Sequence, residues 1–186
     1  MRRASLIAAV TAGLIMGAVR PVAASENVVR PNDRRIAYEG HWGRTAEAAV
    51  TVNSGSRLSF RFTGGSVHVL FDVSSTTVPA QIYVSVDGGP KRLYAVDRDD
   101  IEIEAPERGA HTVELSVKDV FSRVNRWTPP LETGVVLTGI RGRLLPQHVR
   151  HNRQFAFYGD SITQGVMALC EVNTSVCAAG TPPLPV

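Results

Sequence analysis

The 186-residue chain is short of cysteine, of aromatic residues and of net charge, and each shortage removes a class of protein. Two cysteines, Cys170 and Cys177, are too few for a disulfide scaffold, although their spacing permits one small loop in an exported chain. No Cys/His grouping has zinc-site spacing, so no metal or cofactor is expected. The formal net charge of +3 is a property of the N-terminus, because Arg2, Arg3 and Arg20 precede Ser25. Of 20 basic residues, 17 follow that point and face 17 acidic ones, which leaves no net charge. Nucleic-acid binding needs a basic face. The only candidate cluster, Arg141 to Arg153, reads as the solvated side of a strand and the linker after it.

Long apolar runs are also missing, with one exception. Residues 4–19, "ASLIAAVTAGLIMGAV", follow a basic Met1-Arg2-Arg3 start and precede small residues at Val22-Ala23-Ala24. The run is shorter than the ~20 residues that span a bilayer, and Arg20-Pro21 interrupts it. It reads as a signal peptide (1–24) cleaved after Ala24, which implies a secreted or periplasmic protein with no stable membrane span after cleavage.

The last absence is of helical periodicity. Between Arg34 and Leu145 apolar residues recur every second position. Leu58, Phe60 and Phe62 alternate with Ser59 and Arg61, and Val67, Val69 and Phe71 with Ser66, His68 and Leu70. Ile82, Val84 and Val86 lead into Asp87-Gly88-Gly89-Pro90, a hairpin turn, with Arg92 and Tyr94 on the return. His111, Val113, Leu115 and Val117 share a face, and Gly139 and Gly142 in the last strand mark bulges or close backbone approach. Repeated period-2 segments with frequent turns predict an antiparallel β-sandwich or jelly roll over 25–145.

Several residues within that span are of types that can carry chemistry. Trp42 and Trp127 lie in turn-like contexts, where an indole either plugs the end of a sandwich core or stacks on a sugar. Residues 97–107, "DRDDIEIEAPE", lack the pattern of a calcium loop; Glu102 and Glu104 alternate with Ile101 and Ile103 as in a strand with one solvated face. His41, His68 and His111 stand apart in sequence, without ligand spacing.

After a polar linker (146–153) the character changes. "QFAFYG" (154–159) is a compact apolar strand, Gly159-Asp160 allows a tight turn, and "SITQGVMAL" (161–169) can open a helix. Strand, turn, serine and helix together expose a nucleophile at the carboxyl end of a strand. A serine at a helix N-terminus brings its own backbone N–H toward a developing oxyanion, although a lone Asp-Ser pair also serves as a helix cap.

The string "FYGDSITQG" resembles the first block of the SGNH (GDSL) hydrolases. Upstream, "RIAYEGHWGR", "SRLSFRFTGGSVHVLFD", "YVSVDGGPKRL" and "GAHTVELSVK" resemble the N-terminal jelly roll of carbohydrate esterase family two. The resemblance implies a secreted two-domain serine esterase that removes acetyl groups from polysaccharide. In it Ser161 would be the nucleophile and Gly159 and Asp160 would shape the oxyanion turn. An α/β hydrolase domain would start at 154 and remain incomplete at 186. The family's Gly-x-Asn and Asp-x-x-His blocks have no counterpart after Ser161, where no histidine occurs. A C-terminally truncated fragment, inactive alone, is therefore expected. The alternative is a non-catalytic carbohydrate-binding sandwich.

Overall fold

The computed structural model describes residues 28–147. The leader, the linker from residue 148, the block around Ser161 and both cysteines lie outside the described residues. Within them every regular element is a strand, and no helix is long and apolar enough to cross a membrane. The strands are β1 (Val28–Val29), β2 (Ile36–Glu39), β3 (Gly43–Arg44), β4 (Ala49–Thr51) and β5 (Arg57–Phe71). They continue with β6 (Gln81–Val86), β7 (Arg92–Ala95), β8 (Asp100–Asp119) and β9 (Val135–Leu145).

All pairings are antiparallel, in the order β3-β4-β9-β5-β8-β6-β7, with β1 against β9 and β2 against β5. Two long strands organise the sheet. The stretches 57–65 and 66–74, read from the sequence as separate strands, meet in the 15-residue β5. Likewise 97–107 and 111–119 fall largely within the 20-residue β8. Both bend at the same place, where the register jumps from Gly64↔Gly109 to Ser66↔Glu104. Gly64 adopts φ +139°, which a residue with a side chain rarely reaches. The bulge reverses the pleat of β5: Leu58, Phe60 and Phe62 are buried before it, and Val67, Val69 and Phe71 after it.

The bend divides the sheet into two limbs. β2, the first half of β5, the second half of β8, β6 and β7 form one limb. The second half of β5 pairs the first half of β8 and most of β9, which in turn pairs β4. Buried side chains of both limbs, among them Phe60, Leu115 and Ile82 from one and Val69, Ile103 and Leu137 from the other, make one core. The architecture is thus an antiparallel sheet folded over on itself, mainly β as the period-2 pattern predicts. Each large apolar side chain removed from water here contributes about 1.5–3 kcal/mol.

The hairpin between β6 and β7 turns at Asp87 (φ 53°) and Gly88 (φ 71°), closed by the Gly89 N–H on the Val86 carbonyl at 2.9 Å. Two successive positive φ values give the two-residue turn whose twist matches paired strands. At the other edge, a Cβ on Gly139 would sit 2.6 Å from Val28 Cγ1 and 3.1 Å from the Val29 carbonyl oxygen. The close approach expected of this glycine is what lets β1 lie against β9.

Candidate functional site

Ser161, Gly159 and Asp160 lie outside the described residues. The two tryptophans lie within them, in opposite environments. Trp42 is half-buried against the core. Its ring meets Tyr38 edge-on at 5.2 Å, and its Nε1–H donates to the Glu39 carbonyl at 3.1 Å. The Arg44 guanidinium covers the Tyr38 ring at 5.2 Å, and the Tyr38 hydroxyl donates to the Pro31 carbonyl at 2.8 Å. Burial pushes the Tyr38 phenol well above its usual range, so it stays a donor at any working pH. The Trp42 ring is thus held by Tyr38 and its Nε1–H by the backbone.

Trp127 is 70% exposed, on the 15-residue connection between β8 and β9. A large aromatic ring left in water is uncommon, and a flat ring on a fixed support is what a sugar face stacks on. The support comes from Asn125. Its side-chain oxygen accepts from the backbone N–H of Trp127 and of Thr128, each at 3.3 Å. Its amide donates to the carbonyls of Thr128 (2.6 Å) and Pro130 (2.9 Å), across the cis Pro129–Pro130 bond. The Asn125 N–H donates to Glu132 Oε2, and the Glu132 N–H returns to the Asn125 carbonyl, both at 2.8 Å.

The loop is tied to the sheet through its far end. Thr77 and Val78 donate their N–H groups to the Glu132 carbonyl at 2.9 and 3.1 Å, and the Ser75 hydroxyl to the Leu131 carbonyl at 2.7 Å. The Arg126 guanidinium lies 4.6 Å from the Trp127 ring centroid, which holds the ring through a cation–π contact. A loop ordered in this way loses little conformational entropy when a ligand lands on it. The sequence offered Trp127 as a candidate but concealed Asn125 and Glu132, whose partners are backbone groups.

Two of the histidines that stand apart in sequence, His68 and His111, have carboxylate partners in space. His68 and Asp100, on neighbouring strands, are 2.8 Å apart, and the Arg141 guanidinium donates to the other Asp100 oxygen. Burial alone would raise the Asp100 carboxyl, but the hydrogen bond from His68 and the charge of Arg141 outweigh it and hold the group below its usual range. Glu102 lies 3.9 Å from His68 Nε2. His68, Asp100 and Arg141 thus form one ion-paired cluster across three neighbouring strands. Among the described residues, no group of three or more His, Cys, Asp or Glu is placed to hold a metal ion.

His111 is buried and serves the fold. Its Nδ1 donates to Asp87 Oδ2 at 2.7 Å and its Nε2 to the Glu107 carbonyl at 2.9 Å, while its ring packs on Phe62 at 5.5 Å. Asp87 is the positive-φ residue of the β6–β7 turn, and its Oδ1 also accepts from the Thr112 N–H at 2.7 Å. The hydrogen bond to Asp87 raises the His111 pKa, and the same bond lowers that of Asp87.

The fold is that of a mainly-β region found in carbohydrate-active enzymes. The chain superposes on a family two carbohydrate esterase from Cellvibrio japonicus with a TM-score of 0.61 and 19% identity, covering 80% of this chain and 43% of that one. A family 2 carbohydrate esterase with a carbohydrate-binding domain, from Corynascus thermopiles (Myceliophthora fergusii), gives 0.54 and 25% over 70% of this chain and 37% of that. A family two carbohydrate esterase from Clostridium thermocellum, in complex with cellohexaose, gives 0.52 and 23% over 68% and 38%. The chain therefore spans about two-fifths of the length of these solved structures. No protein-family model matches the chain, and no curated protein matches it. The resemblance to family two carbohydrate esterases read from the sequence blocks extends to the fold.

Proposed function

We propose that this chain carries the accessory β-sandwich and the nucleophile block of a secreted serine esterase of the SGNH type that acts on acetylated polysaccharide. The observation that supports this reading most is the coincidence of two independent features. The sandwich has the fold of solved family two carbohydrate esterases, and "FYGDSITQG" follows it in the same chain. In the proposed reaction the Ser161 hydroxyl attacks the ester carbonyl. Its own N–H meets the oxyanion, and Gly159 and Asp160 shape the turn that exposes it.

A serine hydroxyl needs a base, and residues 162–186 contain no histidine. The chain by itself is therefore expected to turn over an aryl acetate little or not at all. The test is release of aryl alcohol from an aryl acetate by the purified chain, with Ser161→Ala as control. Steady hydrolysis that disappears in the variant would refute the expected inactivity. Hydrolysis that is equal in both would show that Ser161 is not the nucleophile.

A second reading is favoured by Trp127, which stands exposed on an ordered loop. In it the sandwich holds neutral polysaccharide without catalysing anything. Retardation of the chain in a gel containing acetylated xylan or cello-oligosaccharide, lost in Trp127→Ala and kept in Trp42→Ala, supports that reading. Equal mobility with and without polysaccharide rejects it.

A further inference from the structure

A cleft of about 960 Å³ opens beside the bend of the sheet, walled by β1, the segment before β2, the Gly64-Gly65 bulge and the end of β9. Four arginines line it, Arg30, Arg35, Arg108 and Arg143. Asp33 is the single acid among its described lining residues, and it is already engaged: Arg35 donates to its two oxygens at 2.9 and 2.8 Å. Arg30, Arg108 and Arg143 are exposed, and their side chains make no hydrogen bond or ion pair with another described residue. Three unneutralised cations thus converge on one concavity, in a chain whose charges balance after residue 24. A cleft lined by one sign of charge concentrates its field on what enters.

The described lining residues include no aromatic ring on which a neutral sugar could stack. Asn32, Thr63 and Ser66 lie among the guanidiniums and match the hydroxyls of a sugar chain. We propose that this cleft binds a carboxylate-bearing polysaccharide, with Arg30, Arg108 and Arg143 pairing its carboxylates. Arginine suits that role because its planar fork donates two parallel hydrogen bonds to one carboxylate. The choice of a polysaccharide over an acidic protein rests on the carbohydrate-directed reading above; the choice of an anion rests on the cleft alone. No residue of the Trp127 loop lines it.

The test is affinity electrophoresis of the full chain in polygalacturonate, and in the same polymer after full methyl esterification, at low and at high salt. The wild type is expected to be retarded by the acid, released by salt and unaffected by the ester. Combining Arg30→Gln, Arg108→Gln and Arg143→Gln should weaken retention at least tenfold. The charge-matched control Lys91→Gln, Arg92→Gln, Arg123→Gln should retain it, as should Trp127→Ala. No retardation of wild type, equal retardation by the ester, or equal loss in the two triple variants would overturn the proposal. So would equally strong capture by polyglutamate through the same three arginines, which would point to an acidic protein. Comparison of wild type in acid and ester needs no variant to fold. If aryl acetate hydrolysis is equal in wild type and Ser161→Ala while polygalacturonate is held by the arginines, the esterase reading falls and the cleft assignment stands.

Discussion

The contact between His111 and Asp87 makes a pH-dependent prediction that can be worked through completely. Both ring nitrogens of His111 face acceptors, a carboxylate at 2.7 Å and a carbonyl at 2.9 Å, an arrangement met in full only when both nitrogens carry a proton. Folding therefore takes up a proton whenever the unfolded ring, with a pKa of about 6.5, has lost its own. The folded value is raised, chiefly by the bond to Asp87, so the stabilisation is complete below about pH 6.5 and is lost as pH climbs through the folded value. Asp87 behaves oppositely. Its folded pKa is lowered by the same bond, so its contribution is present above about pH 4 and is lost as pH falls through the folded value.

One proton is linked on the alkaline side, which limits the slope to about 1.4 kcal/mol per pH unit. For a fold of this size that is a fall in Tm of roughly 5 °C per unit, ending once the folded pKa is passed. Thermal unfolding across pH should show a plateau on the mildly acidic side of neutrality and a decline above it. His111→Phe keeps a ring against Phe62 but carries no proton, and should flatten that decline. Nitrogen NMR of His111 should show both ring nitrogens protonated below about pH 6.5. One unprotonated nitrogen, or an unchanged alkaline decline in His111→Phe, would refute the reasoning.

Other expectations follow from packing. Gly139→Ala places a methyl 2.6 Å from Val28 and 3.1 Å from a β1 carbonyl, and should cost about 1–3 kcal/mol by pushing β1 off β9, read as a lower denaturation midpoint. Trp42→Ala should lower stability by about 1–3 kcal/mol through lost contact with Tyr38 and the core, whereas Trp127→Ala should stay within about 0.5 kcal/mol of wild type. Equal losses in the two variants would contradict the environments described. Asn125→Ala should accelerate amide exchange of Trp127 and Thr128 without altering exchange in β5, because its carboxamide oxygen is their acceptor.

What the sequence determined by itself is local. Alternation in β5 and β8 named the buried faces, because a pleated strand with one wet side must repeat every two positions, whereas in β6 Gln81 and Ser85 are buried as well. Asp87-Gly88 announced its turn, since the positive φ values it needs are those these residues tolerate. Joining 57–65 to 66–74 required the tertiary structure, because the Gly64-Gly65 bulge inverts the alternation and reads as an end.

The site residues divide in the same way. The proposed nucleophile block is legible because it sits in nine consecutive residues. The partners of His68 and His111 lie 32 and 24 positions away, and only strand pairing brings them within a hydrogen bond. Trp42 and Trp127 look alike in sequence; whether an indole is packed or presented depends on what surrounds it. The arginine cleft is the extreme case. Arg30, Arg108 and Arg143 come from three distant segments of a chain with balanced charge, and become one field where the folded sheet sets them round a common hollow.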